Sequence, residues 1–212
     1  RVVAQMTKTP KRPMIIGLTG SIAMGKSTVS QMFVDEDIPH FDADAAVHKL
    51  QGPGGALVDA IEAAFPGTTG SHGVDRLKLG PIVLGDKVKL AKLEGIIHPA
   101  VGKLRVDFLE AHRDAPMVLF DIPLLFEKGG HQGVDKILVV SAPADQQRRR
   151  ALAREGMTIE KFEHILSLQM PDAEKRKRAD FVIDTGTSIA DTRDQVRTLI
   201  KKLRASLADS HN

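Results

Sequence analysis

Five short apolar runs punctuate the chain: Met14–Leu18, Ile38–Phe41, Met117–Asp121, Lys136–Val140 and Phe181–Ile183. Each is bounded by Gly, Pro or Asp, and the intervals between them carry helical periodicity. Runs this continuous predict strands buried on both faces, and strands alternating with helices predict an α/β fold around a parallel sheet. The first helix is expected from Lys26 to about Asp35, with Val29, Met32 and Phe33 on one face. The last is expected from Ser188 to Leu207, where Ile189, Val196, Leu199, Ile200 and Leu203 recur at helical spacing. Asp191 near its start and Lys201, Lys202 and Arg204 near its end suit the helix dipole.

Two intervals exceed a simple crossover. Asp42 to Pro116 holds helix-like stretches at Ala43–Leu50, Ala56–Phe65, Arg76–Leu84 and Lys87–His112, broken by Gly-Pro-Gly-Gly and Pro-Gly. Ala142 to Asp180 is rich in Arg and Lys. Neither is of low complexity, and the chain has no internal repeat. A core with two helical insertions is the economical arrangement.

Composition narrows the class. With 42% hydrophobic and 27% charged residues among 212, the chain is expected to be globular rather than disordered. There is no Cys, so disulfides and thiolate metal sites are excluded. Trp and Tyr are absent and 8 Phe supply all the aromatic rings, which argues against a surface that stacks single-stranded bases. The net charge of +3 is slight, so the placement of the basic residues matters more than their sum. No apolar run approaches about 20 residues, so no membrane span is expected. Residues 1–13 are basic without an apolar core and do not read as a secretory signal; they read as a flexible lead-in, with Met14 a candidate internal start. A transit peptide is the weaker alternative, because Ser is missing there. The cytoplasm is the default compartment, and a monomer is favoured.

Chemistry enters at Gly20-Ser21-Ile22-Ala23-Met24-Gly25-Lys26-Ser27, which fits G-x-x-x-x-G-K-[ST] at every fixed position. A chance match in a chain of this length comes to roughly 1%. The segment follows an apolar strand and opens an amphipathic helix, the context the motif requires. Gly20 and Gly25 permit successive N–H groups to converge on phosphate oxygens, and the helix N-terminus adds positive potential. Lys26 then reaches the β- and γ-phosphates, and the Ser27 hydroxyl is a ligand for Mg²⁺. Residues 20–28, ending at Thr28, are therefore the candidate ATP cradle.

The GTPase base-reading motif Asn-Lys-x-Asp is absent, as is the long acidic strand of motor ATPases. Small size and two insertions suit a small-molecule kinase, one insertion binding the acceptor and the other closing over ATP. Further motifs carry a specific resemblance: Ile15-Ile16-Gly17-Leu18-Thr19-Gly20; Phe41-Asp42-Ala43-Asp44 followed by His48; Leu93-Glu94-Gly95-Ile96-Ile97-His98-Pro99; Asp121-Ile122-Pro123-Leu124-Leu125-Phe126-Glu127; Arg150, Arg154 and Gln169; and Ala179-Asp180-Phe181-Val182-Ile183-Asp184. In this order, from about Met14 to Leu203, the chain resembles the dephospho-coenzyme A kinases, P-loop kinases related to the nucleoside monophosphate kinases. It departs from them in a phosphate loop with fewer glycines, in Thr185 where Asn is usual, and in Leu84 where Phe is usual.

The resemblance implies transfer of the ATP γ-phosphoryl group to the ribose 3′-hydroxyl of dephospho-CoA, with Mg²⁺. It implies a five-stranded parallel core of three α/β/α layers over 14–42, 117–144 and 180–207, an acceptor-binding helical insertion over 43–116 and a lid over 145–179. Asp44 lies just past the second strand, on the carboxyl edge where ligands of open α/β sheets bind, and a carboxylate there can accept the hydroxyl proton. It can equally cap the following helix, and Asp42 fits either job. Family analogy favours Asp44 as the base. Asp121 ends the third strand, where it can hold Mg²⁺ through water, hydrogen-bond Ser27, or cap a turn before Pro123. Arg150 and Arg154 share a helix face and are expected to neutralise charge on the transferred group; Arg148 and Arg149 have a weaker claim. His48, His98, Arg76, Pro123 and Leu124 are the candidate acceptor contacts, with a packed or solvated role open for His98 and Arg76. Gly186 is expected to meet adenine through its backbone, since Thr185 replaces Asn. Glu127 reads as structural or as part of the substrate lobe rather than catalytic, and Lys175–Arg178 as a solvated helix end. Other small-molecule kinases, of gluconate, shikimate or nucleoside monophosphates, fit the Asp121–Glu127 stretch less well. A nucleic-acid-binding role for the basic insertion is disfavoured by the scarce aromatics and the even mix of acids.

Overall fold

The computed structural model describes residues 12–209. The lead-in expected over residues 1–13 therefore lies outside the described residues, apart from Arg12 and Pro13. Arg12 forms a two-pronged pair with Asp135, at 2.6 and 2.8 Å, and Asp135 also accepts the Ile15 N–H at 2.8 Å.

Five parallel-sheet strands occur where the apolar runs predict them. They are β1 (Met14–Thr19), β2 (His40–Asp42), β5 (Met117–Asp121), β6 (Lys136–Ser141) and β7 (Phe181–Asp184), in the spatial order β2-β5-β1-β6-β7. The second strand starts at His40 rather than Ile38 because Pro39 has no N–H to give to a ladder, although its carbonyl accepts the Leu119 N–H at 2.8 Å. The central strands pair in parallel, with Ile16 opposite Leu119 and Leu18 opposite Leu138. Alternate residues Ile16, Leu18, Met117, Leu119, Leu138, Val140 and Ile183 pack against Val29, Met32 and Phe33 of α1 (Lys26–Val34) and Val196, Leu199, Ile200 and Leu203 of α9 (Ile189–Asp209). The intervening Ile15, Val118, Phe120 and Val139 are buried too, as expected for a sheet flanked by helices on both faces.

The intervals hold α2 (Ala43–Gln51), α3 (Val58–Ala64), α4 (Arg76–Val83) and α5 (Lys87–Ala111), then α6 (Ala144–Leu152), α7 (Ile159–Ser167) and α8 (Asp172–Lys177). Two compact units result. One contains residues up to His40 and from His112 onward, so the 145–179 segment belongs with the sheet; the other is Phe41–Ala111. The smaller unit has its own core, in which Leu50, Leu57, Ile61, Phe65, Leu79, Val83 and Leu93 pack together. It also contains a hairpin absent from the sequence reading, β3 (Thr69–Gly70) with β4 (Gly73–Val74). Two-residue strands are too short to show an alternation. Gly73 sits at φ 86°, and a Cβ there would collide with the backbone of Gln51 and Gly52.

At the outer edge of the sheet, Gln195 of α9 lies alongside β7. Its side-chain oxygen accepts the Asp184 N–H at 2.9 Å and its NH₂ donates to the Asp184 carbonyl at 3.0 Å.

Two outcomes follow. Gly73→Ala combines left-handed backbone with a steric clash and should cost about 2–4 kcal/mol, read as a lowered denaturant midpoint. Arg12 and the Ile15 N–H hold the Asp135 carboxyl below its ordinary value of 3.8. Its contribution is therefore complete above that value and lost as pH falls through the lower folded value. The Tm gap between the protein and Asp135→Asn should be constant near neutrality and shrink below about pH 4.

Candidate active site

The loop from Gly20 to Gly25 joins β1 to α1. Gly25 caps α1 at φ 88°, a left-handed conformation natural to glycine, with no side-chain cap and no acidic residue in the first turn. The N-terminal partial charge of α1 is thus left for a ligand. Ala23 is also left-handed, at φ 61°, at a cost of about 1 kcal/mol for a residue with a Cβ. Neighbouring side chains hold it there. Gln147 of α6 donates to the Ile22 carbonyl at 2.9 Å, and Gln169, beyond α7, accepts the Ile22 N–H at 3.0 Å. The Thr185 hydroxyl donates to the Met24 carbonyl at 2.7 Å. Beneath these bonds, Ile22 and Ala23 pack on Ala151, Phe162 and Leu166.

Lys26 Nζ lies 2.5 Å from Asp121 Oδ1, and His40 Nε2 is 4.0 Å from Asp121 Oδ2. Asp121 is buried, whereas Ser27 is exposed. A carboxylate and a hydroxyl are the hard oxygen donors Mg²⁺ prefers. Among the described residues, no group of three or more His, Cys, Asp or Glu could hold a metal by itself. Such a donor set fits an ion that arrives with phosphate oxygens rather than a resident one.

A cavity of about 520 Å³ opens over the loop, within the usual range for a ligand pocket. It is lined by every residue from Gly20 to Thr28 and by Pro123, Arg150, Arg154, Gln169, Thr185, Ile189 and Thr192, among others. Arg150 donates to the Thr185 carbonyl at 2.6 Å and to Gln146 at 3.2 Å. α6 stops at Leu152, so Arg154 is not on the same helix as Arg150, contrary to expectation. A turn in which the Arg154 N–H bonds the Ala151 carbonyl at 3.1 Å keeps it on the cavity wall. Arg154 is exposed and its guanidinium has no partner among the described residues. Arg148 and Arg149 instead pair with Glu163 and Asp145 at the surface.

In the smaller unit, Asp42 is the N-cap of α2, its carboxylate accepting the Ala45 N–H at 2.9 Å. Asp44 is exposed in the first turn and spared the capping role. It borders an open groove of about 580 Å³ with Val47, His48, Gln51, Arg76, Leu84 and other apolar residues. A second depression of about 630 Å³ shares His48, Gln51 and Arg76 with it. Arg76 is held by His48 Nε2 at 3.2 Å and Gln51 Oε1 at 3.1 Å. His98 is exposed in the middle of α5 and borders neither.

Comparison with known proteins decides what this arrangement belongs to. The family model for dephospho-CoA kinase matches residues 14–191. The chain belongs to the dephospho-CoA kinase family. A dephospho-CoA kinase of Novosphingobium aromaticivorans is 60% identical over 91% of this chain and 96% of its own length. One of Mesorhizobium japonicum is 51% identical over 90% and 96%. The crystal structure of TT1252 from Thermus thermophilus superposes with a TM-score of 0.80 at 34% identity, covering 91% of this chain and 99% of that one. A dephospho-CoA kinase from Campylobacter jejuni gives 0.61 at 25%, over 89% and 96%.

Against the family pattern, the Thr185 departure has a physical account. Its hydroxyl is buried between the Met24 and Ser141 carbonyls, at 2.7 and 3.2 Å, and accepts from Arg150 at 3.2 Å. It is therefore engaged within the protein. Gly186, expected to meet adenine, has its N–H on Asp184 at 2.7 Å and its carbonyl on Gln146 at 2.9 Å. Thr185, Ile189 and Thr192 line the cavity instead. Leu124 is half-buried and, unlike Pro123, does not line it.

The solvated reading of Lys175–Arg178 is wrong for Lys175. Arg176, Lys177 and Arg178 are exposed, but Lys175 is fully buried, with Nζ 2.9 Å from Glu127 Oε1. One helix turn points three cations to water and one inward, which a charge run does not reveal. Glu127 faces the buried Lys175. Burial disfavours its charged form, but Lys175 and the Met170 N–H outweigh this and hold the carboxyl below its ordinary value. Gln147 carried no sequence signal at all.

Thr185→Val keeps the shape but leaves the Met24 carbonyl short of its donor, while the Ser141 carbonyl keeps the Thr185 N–H at 2.8 Å. It should lower stability by about 1–3 kcal/mol and weaken ATP binding, measured by thermal melts and calorimetry.

Proposed function

We propose that this protein transfers the γ-phosphoryl group of ATP to the ribose 3′-hydroxyl of dephospho-CoA, giving CoA and ADP, the last step of CoA biosynthesis. The relative at 60% identity over 91% of the chain carries this reading. The phosphate loop and the cavity above it supply the physical means. The cytoplasm, where ATP is made available, is the compartment this reading assigns; no helix among the described residues is long and apolar enough to cross a membrane.

ATP enters with its phosphates on the loop N–H groups and the start of α1. The Lys26 ammonium then exchanges the Asp121 carboxylate for the β- and γ-phosphate oxygens. Asp121 and Ser27 would hold Mg²⁺. The ion would neutralise charge on the phosphate oxygens.

Asp44 orients the acceptor hydroxyl and takes its proton as the oxygen bonds to the γ-phosphorus and the bond to ADP breaks. Arg154, with no partner among the described residues, reaches the transferred group and spreads its charge; Arg150 frames the nucleotide beside Thr185. His48 and Arg76 are assigned to the acceptor, with the pair offering donors to its phosphates. Pro123 borders the nucleotide cavity, and His98 is left without a role.

With ATP and dephospho-CoA, the protein should release ADP in step with CoA formation; release no faster than without acceptor would sink this reading. Lys26→Ala should lose about 10³-fold in kcat/KM. Asp44→Ala should lose roughly 10²- to 10⁴-fold in kcat; near-normal turnover would remove it as the base. Arg154→Ala should lower kcat by about 10³-fold while ATP affinity changes little.

A further inference from the structure

The insertion that follows β6 reaches the phosphate loop through contacts the phosphoryl transfer does not itself require. Gln169 Oε1 accepts the Ile22 N–H at 3.0 Å. The next residue, Met170, donates its N–H to Glu127 Oε1 at 2.8 Å. That same oxygen lies 2.9 Å from Lys175 Nζ, and the Lys175 side chain is 0% exposed. A buried ammonium is tolerated only when a counter-charge is fixed beside it, so Lys175 determines where Glu127 sits. Glu127 in turn determines where the 169–170 peptide sits, and hence where the Gln169 side chain starts.

The far end of this chain matters because of Ala23. Its left-handed φ of 61° turns the Ile22–Ala23 peptide, and Ile22 is the residue held on both sides, its carbonyl by Gln147 and its N–H by Gln169. The apolar contacts of Ile22 and Ala23 with α6 and α7 press the loop against the insertion but do not fix the rotation of a peptide plane. Hydrogen bonds do.

We propose that Glu127 and Lys175 are positioning residues for ATP. Acting through Gln169, they keep the phosphate loop in its anion-receptive conformation before nucleotide arrives. The inference rests on the nucleotide-binding reading of the cavity and is independent of the acceptor. Preorganisation of this kind appears in affinity, because a loop that must be ordered by the ligand takes that ordering out of the binding free energy.

The test is calorimetric titration with Mg²⁺ and the non-hydrolysable ATP analogue with an imido β–γ bridge, without acceptor. Lys175→Met alone would strand a buried carboxylate, so both charges are removed together in Glu127→Leu/Lys175→Met, a replacement that buried ion pairs often tolerate. This variant and Gln169→Ala should each weaken analogue binding roughly tenfold. The triple variant should be no weaker than Gln169→Ala, because the effects pass through one side chain. The KM for dephospho-CoA should not move. A pair variant that melts earlier but binds the analogue normally overturns the proposal, as do additive effects in the triple variant. If the pair variant does not fold, unchanged affinity in Gln169→Ala overturns it alone. A protein that binds the analogue in this pattern but fails to phosphorylate dephospho-CoA would refute the proposed activity and leave this inference standing.

Discussion

The phosphate loop concentrates positive potential, from the head of α1 and from the Lys26 ammonium. Asp121 sets a counter-charge beside that ammonium. Its buried carboxylate lies 2.5 Å from Lys26. The arrangement around it follows from the need to hold two opposite charges at the end of a sheet without letting the loop collapse on them. β1 delivers the loop and the neighbouring β5 delivers the carboxylate, in register, with Leu18 opposite Asp121. A parallel pairing of adjacent strands is what brings loop and acid to the same end.

The loop's shape is enforced from outside. In a glycine-rich version the left-handed residue would be nearly free of strain, whereas here Ala23 occupies that conformation and Gln147, Gln169 and Thr185 restrain its neighbours. Fewer glycines mean fewer unfolded conformations to lose and a loop less able to rearrange. The side chains that supply the restraint come from α6, from the segment after α7 and from the turn after β7. Phosphate loop, insertion and the turn after β7 are thus joined by hydrogen bonds.

Much of this was legible in the sequence, for reasons that differ by element. The strands announced themselves because a sheet covered on both faces needs uninterrupted apolar runs, as in Met117–Asp121. α2, α4 and α5 began at their expected residues, and Asp42 and Asp75 accept N–H groups as the caps of α2 and α4. The phosphate loop was readable because its chemistry is local: consecutive residues make the site. What stayed hidden depends on partners distant in sequence. Thr185 meets Met24 across 161 positions, and Lys175 finds Glu127 from within a run of cations whose other members face water. Neither pairing leaves a spacing to detect. The β3–β4 hairpin failed for the opposite reason, being too short to carry a period. Both Asp42 and Asp44 suit a cap in the sequence, and only the hydrogen bond to Ala45 shows that Asp42 is the one that caps α2.

The amide of Gln195 has a bearing on life in a crowded solution. β7 is the last strand of its sheet, and an end strand offers unpaired N–H and carbonyl groups to any extended segment that passes. By bonding both backbone groups of Asp184, Gln195 imitates a sixth strand at that residue with nothing beyond it to continue the ladder. Strand addition there would first have to displace an intramolecular partner that is always at hand. A single side chain thereby guards the sheet against growing into a neighbour's.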